Sequence, residues 1–185
     1  MVLNVIPFVH QLLLNTVTNE GIVIDATCGN GNDTLFLAKH AKHVYAFDIQ
    51  EQAIATTKSL LEANHMTNVT MILSSHEYIK EHVNTTIQAA TFNLGYLPRS
   101  DKSIQTKATS TIKAIADCID LLSFGGIITL ILYIGHEGGK QEANAVEDFC
   151  KALDKQLFKV IRYSFINREN APYVIIIEKQ HKTLC

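Results

Sequence analysis

The chain reads as an α/β protein built on a seven-stranded, mostly parallel sheet with helices on both faces and an antiparallel hairpin at its C-terminal end. Three observations predict this. Strand-like and helix-like patterns alternate along all 185 residues, the pattern of a parallel sheet with crossover helices. A glycine turn, Cys28-Gly29-Asn30-Gly31, joins the first strand to a helix. A polar link of six residues, Asn167 to Pro172, separates the last two strands and is too short for a parallel crossover, which needs a dozen or more.

Residues 4–17 carry apolar side chains on one face and predict an opening helix. The run Ile22-Val23-Ile24 marks a buried strand over 22–26, followed by the glycine turn and a helix over 33–41. Val44-Tyr45-Ala46-Phe47 marks the second strand, 43–48, which ends on Asp48. A helix over 50–65, a strand over 68–73, a helix over 75–83 and a strand over 89–94 follow. The helix over 104–122 is expected to stop at Ser123-Phe124-Gly125-Gly126, since glycine readily closes a helix C-terminus. Beyond it lie a strand over 126–133, a helix over 140–154 and strands over 157–165 and 172–179. With no linker and no internal repeat, residues 1–180 are expected to form one domain and 181–185 a tail.

A hydrophobic fraction of 47% with 18% charged residues indicates a globular chain with a sizeable core. No apolar run approaches the ~18 residues needed to span a bilayer, and the N-terminus lacks a basic signal-peptide region, so a cytoplasmic protein without membrane partners is expected. Cys28, Cys118, Cys150 and Cys185 form no Cys-x-x-Cys pair, which writes neither a zinc site nor a disulfide framework. Cys28 is read as a packing residue of the glycine turn, and no metal is expected. Net charge is −2, but residues 1–96 hold four Lys against eight acids, whereas residues 97–185 hold twelve Lys and Arg against ten. A polyanion should therefore meet the second half of the chain.

In open α/β sheets ligands bind beyond the carboxyl ends of the strands. A Gly-x-Gly turn entering a helix lets backbone amides approach a ligand, and an acid closing the next strand suits ribose hydroxyls. Gly29, Gly31 and Asp48 fit that nucleotide-type site. Asn32 and Asp33 either bind an amino-acid-like group or cap the helix. Asn93 presents an amide at a strand end, Gly95 permits close approach and Tyr96 can stack on a flat ring. Tyr133 to Gly139 is a glycine-rich loop whose His136 is suited to proton handling near neutrality. His76 is placed near the cofactor ring and the remaining histidines at the periphery.

Asp25-x-x-Cys28-Gly29-x-Gly31-x-x-Thr34, Asp48, Asn93-Leu94-Gly95-Tyr96 and the terminal hairpin resemble the Rossmann-like class I S-adenosylmethionine-dependent methyltransferases. Within them, Asn93 to Pro98, Tyr133 to Gly139 and Asn167 to Pro172 are similar to the MnmM family, a small bacterial group long labelled rRNA methylases. Its members are tRNA 5-(aminomethyl)-2-thiouridine methyltransferases. The resemblance implies N-methylation of the aminomethyl arm of wobble uridine 34, with S-adenosylmethionine as cofactor, the anticodon stem-loop of tRNA as partner and a homodimer as the assembly. It implies Gly29, Asn30, Gly31, Asn32 and Asp33 on the methionine side, Asp48 and Gln50 at the ribose, and Ser75 and His76 at the adenine. Asn93 would orient the amine, Tyr96 brace the uracil, and His136 or Tyr133 assist proton removal, with Arg99, Lys102, Lys107 and Arg168 toward the RNA. Another RNA, such as rRNA, or a different amine is the nearest alternative substrate. A nicotinamide oxidoreductase is a further alternative, although Thr34 stands where its third glycine belongs. A cofactor-binding partner without turnover is another, which Asn93, Tyr96 and His136 together disfavour.

Overall fold

A computed structural model describes residues 1–95, 106–135 and 138–180. Tyr96, Arg99, Lys102 and His136 lie outside the described residues. The first helix, α1 (Val5–Thr16), buries Val5, Val9 and Leu13, a stripe at four-residue spacing. It is followed by β1 (Ile22–Asp25), α2 (Asn32–Ala38), β2 (His43–Asp48), α3 (Glu51–Ala63) and β3 (Val69–Leu73). A 3₁₀ turn, His76–Tyr78, leads into the single-turn α4 (Ile79–His82), and then come β4 (Ile87–Leu94), α5 (Ala108–Leu121), β5 (Leu122–Leu132) and α6 (Gly139–Lys151). The edge strand β6 (Phe158–Tyr163) and β7 (Tyr173–Lys179) complete the chain's described elements.

The seven strands lie in the order β3-β2-β1-β4-β5-β7-β6. The first five are parallel, whereas β7 is antiparallel to both β5 and β6. Two expected elements differ. The strand expected at 126 begins at Leu122, because the chain extends through Ser123 to Gly126 with a register shift opposite Ile87 to Ala89. Gly125, at φ +75°, serves a bulged strand rather than a helix stop. The helix expected over 75–83 is a 3₁₀ turn followed by one α-turn.

The central strands β1, β4, β5 and β7 are buried on both faces and read as near-continuous apolar runs. Val23, Val44, Ala46, Ile131 and Ile176 pack against α1, α2 and α3. Ile24, Phe47, Phe92, Leu130 and Ile175 pack against α4, α5 and α6. The strand order reverses direction between β1 and β4, which opens a crevice at their carboxyl ends. Register brings Asp25 of β1 opposite Ala46 of β2 and Thr91 of β4. Asp25, Asp48 and Asn93 therefore stand along one edge of the sheet.

Candidate active site

The turn leaving β1 is fastened to both neighbouring strands: Ala26 N–H donates to Thr91 O at 2.9 Å and Cys28 N–H to Phe47 O at 2.8 Å. Gly29 and Gly31 take left-handed backbone, at φ +52° and +82°, a region costly for residues with a side chain. A Cβ on Gly31 would lie 2.9 Å from Thr57 Oγ1 of α3. Gly31 shapes the turn and does not line the cavity described below.

Asp48 is held by two backbone donors, Gly29 N–H to Oδ2 and Gln50 N–H to Oδ1, both at 3.0 Å. Oδ2 also receives the Cys28 thiol at 4.0 Å, while Oδ1 keeps a second lone pair for a ligand hydroxyl. Asp25 is fully buried and accepts from Thr34 Oγ1 at 2.6 Å and Thr27 N–H at 3.2 Å. Burial, reinforced by the nearby charges of Asp33 and Asp48, pushes its carboxyl up to about 7. The same burial raises the Cys28 thiol above its ordinary range, with Asp25 and Asp48 adding to it. Cys28 is thus a protonated packing group rather than a thiolate nucleophile.

Asn32 and Asp33 are not helix caps. Gly31 occupies the cap position of α2, with no side-chain capping bond. Asp33 instead accepts from Asn93 Nδ2 on Oδ2 and meets His10 Nε2 at Oδ1, each at 2.7 Å. The Asn93 backbone is pinned as well, its N–H donating to Thr27 Oγ1 at 2.8 Å. The periphery expected for His10 is corrected here: α1 packs on the sheet face with Val5, Val9 and Leu13 and presents His10 to the cavity and to Asp33.

Ser75 caps the 3₁₀ turn by accepting from Glu77 N–H at 3.3 Å. His76 is 8% exposed, and its Nδ1 lies 3.2 Å from Ala26 O. A carbonyl only accepts, so the proton sits on Nδ1. Burial lowers the affinity of this ring for a second proton, which leaves Nε2 as a buried acceptor with no partner among the described residues. Tyr133 has its phenol raised by burial and by Asp33, and so keeps its proton at neutral pH.

These groups surround a cavity of about 1070 Å³, just above the roughly 300–1,000 Å³ range for ligand sites. Gly29, Asn30, Asn32, Asp33, Asp48, Gln50, Ser75, His76, Asn93, Lys107 and Tyr133 line it. Arg168 does not: its guanidinium lies 4.5 Å from the centroid of the Phe165 ring. Ile6, His10, Thr106, Asn170 and Pro172 line the cavity too; Asn170 and Pro172 fall in the segment Asn167 to Pro172 that stands out in the sequence, whereas nothing local marks Ile6 or His10, in an opening helix, as facing residues far along the chain. Thr106 is anchored by its N–H to Gly95 O at 2.9 Å and its hydroxyl to Glu142 at 2.7 Å, while Thr111 donates to the same buried carboxylate. No cluster of metal-ligating side chains occurs among the described residues.

The chain is 38% identical over 185 aligned residues to a chloroplastic tRNA (mnm5s2U34)-methyltransferase of Arabidopsis thaliana, covering 92% of this chain and 68% of that one. It superimposes with a TM-score of 0.94 on a structure described as a "putative rRNA-methylase" from Clostridium thermocellum, at 39% identity and covering 97% and 99% of the two chains. A "putative methyltransferase" from Streptococcus mutans, solved in complex with SAH, gives a TM-score of 0.93 at 42% identity, with the same coverage of each chain. The sheet order, the cavity at its switch point and these likenesses agree with a match over residues 44–179, and the chain belongs to the family described as "Putative rRNA methylase".

Proposed function

We propose that this protein transfers the methyl group of S-adenosylmethionine to the aminomethyl nitrogen of 5-aminomethyl-2-thiouridine at wobble position 34 of tRNA. The observation that carries the reading is the single cavity joining the Gly29 turn and Asp48 to Asn93, with the Asp33 carboxylate between them. The tRNA (mnm5s2U34)-methyltransferase activity of the Arabidopsis relative supports the choice of substrate.

The residues present fit the cofactor. The Asp48 carboxylate suits ribose hydroxyls beside Gln50, and the turn from Gly29 through Asn30 to Asn32 suits the methionine portion, with Gly31 setting its shape. The unpartnered Nε2 of His76 suits the exocyclic amine of adenine, next to Ser75. When bound, S-adenosylmethionine supplies a methyl group already activated by its sulfonium charge.

The chain's own task is to present a neutral nitrogen. An alkylamine with a pKa near the ~10.4 of lysine arrives protonated at neutral pH. Asp33 attracts that cation, while partial desolvation and the adjacent sulfonium charge of the cofactor would disfavour its charge and promote release of the proton. The Asn93 Oδ1 then accepts a remaining N–H, and Tyr133, which retains its own proton, braces the pocket as a donor. Holding nucleophile and methyl carbon about 3–3.5 Å apart supplies much of the rate enhancement. His136 would assist proton departure and Tyr96 would stack on the uracil. Arg99, Lys102, Lys107 and Arg168 would meet the anticodon stem-loop. A homodimer in the cytoplasm completes the proposal.

The test is mass spectrometry of wobble nucleosides from aminomethyl-bearing tRNA incubated with the protein and methyl-labelled cofactor. Label on the 5-aminomethyl group of uridine 34 is expected, and label confined to another nucleoside, or absent, overturns the assignment. In the same assay Asn93→Ala should lose most single-turnover methylation at saturating cofactor.

A further inference from the structure

Three residues from three elements meet at one carboxylate. His10 comes from α1, Asp33 from the first turn of α2 and Asn93 from the end of β4. Asp33 Oδ1 lies 2.7 Å from His10 Nε2 and Oδ2 lies 2.7 Å from Asn93 Nδ2. A carboxylate only accepts, so both contacts place protons: His10 carries one on Nε2, and Asn93 turns its NH2 toward Asp33. The carbonyl oxygen of Asn93 is then the amide atom left for a ligand in the cavity that Asn93 lines.

His10 is fixed in its turn. Its ring stacks on Phe36 with centroids 3.9 Å apart and planes within 5°. Phe36 lies three residues beyond Asp33 on α2, so one helix face offers His10 a ring and an acceptor together. Both His10 and Asp33 are partly buried, and both line the cavity.

We propose that His10 is a positioning residue that, by holding Asp33, fixes the orientation of the Asn93 amide. The inference rests on the amine-methylation reading above for its consequence in rate, but the orientation itself is a property of the protein alone. With the carbonyl facing inward, Asn93 accepts an N–H of the incoming amine and leaves the nitrogen lone pair directed away from Asn93, free to attack. With the amide reversed, an NH2 group would meet the amine and compete for that lone pair. Removing the His10 donor frees Oδ1, lets the Asp33 carboxylate rotate and releases Asn93 to flip.

Two variants separate the donor from the ring. His10→Phe keeps a ring to stack on Phe36 and removes the N–H, whereas His10→Gln keeps an N–H donor and loses the ring. Side-chain amide NMR on nitrogen-15-labelled protein, with the Asn93 signal assigned from its loss in Asn93→Ser, reads the orientation directly. The Asn93 amide protons should be exchange-protected and shifted downfield in the parent protein, should lose both signatures in His10→Phe, and should regain them in His10→Gln. With aminomethyl-bearing stem-loop RNA, His10→Phe should lower the single-turnover rate about 10-fold or more while changing cofactor affinity, measured by calorimetry, by less than about 2-fold. His10→Gln should restore most of the rate. An Asn93 signal unchanged in His10→Phe, or equal impairment of both variants, overturns the proposal. Loss of the signatures in His10→Phe and their return in His10→Gln, with RNA that even the parent protein leaves unmethylated, would support the coupling and reject the amine substrate instead.

Discussion

Asp48 shows how one side chain builds the turn beside which a ligand is proposed to sit. Its two oxygens accept from Gly29 and Gln50, so it shapes the turn before any ligand arrives. Asp48→Ala should weaken S-adenosylmethionine binding by about 10-fold or more, the equivalent of the ~1.5–3 kcal/mol of a charge-assisted hydrogen bond. Calorimetry checks this, and an unchanged affinity removes Asp48 from the ribose site. Asp25 behaves differently because it is sealed from solvent. Its carboxyl is raised to about 7 by burial first and by Asp33 second, so the native state holds a proton that the unfolded chain releases near pH 4. The stabilisation from that proton is complete below about pH 4 and is lost as pH rises through about 7. Asp25→Asn, which cannot ionise, should therefore gain on the parent protein by up to about 4 kcal/mol as pH rises from 4 to above 7. Thermal melts of the two proteins across that range should diverge, and a constant gap would show that Asp25 is not a buried titrating acid.

The glycine turn carries its consequences at the level of elements. Gly31 lies against Thr57, whose hydroxyl also donates to Gly29 O at 3.2 Å, so α3 closes directly on the turn. Gly31→Ala should destabilise the fold by about 1–3 kcal/mol, from the left-handed backbone and the contact with Thr57 together. Thr57→Ala in the same protein should recover only the clash with the Thr57 side chain, not that with its Cα at 3.0 Å nor the left-handed backbone cost, as read from chemical denaturation. Element order was legible because buried parallel strands announce themselves as apolar runs: the expected 43–48 is β2 itself, and 68–73 matches β3 to within a residue. The start of β5 was not, since Gly125-Gly126 after a helix signals a cap and a bulge equally well. Only the pairing of Leu122 with Ile87 selects the bulge.

For the whole molecule, charge decides which ligand goes where. Asp33 and Asp48 line one end of the cavity, which suits a sulfonium and an ammonium and repels phosphate. On the proposed tRNA reading the RNA backbone would rest on the second half of the chain, with twelve Lys and Arg against ten acids in residues 97–185. Four contacts from Arg99, Lys102, Lys107 and Arg168 would weaken stem-loop binding about 50-fold between 50 and 200 mM salt, on a slope near −0.7 per phosphate. Fluorescence anisotropy tests this, and a flat response would deny these cations a role. The sequence by itself determined the α/β alternation, the glycine turn with its strand-end acid and the candidate amide at Asn93. These are local signals, carried by hydrophobic period and by the backbone needs of a turn. Only the tertiary structure decided that α1 brings His10 to Asp33, that Asp33 binds Asn93 rather than capping its helix, and that Gly31 meets Thr57 instead of the cavity. Those contacts join residues 23, 60 and 26 positions apart. A partner at that distance is chosen by how helices pack on a twisted sheet, and no pattern along the chain encodes that choice locally.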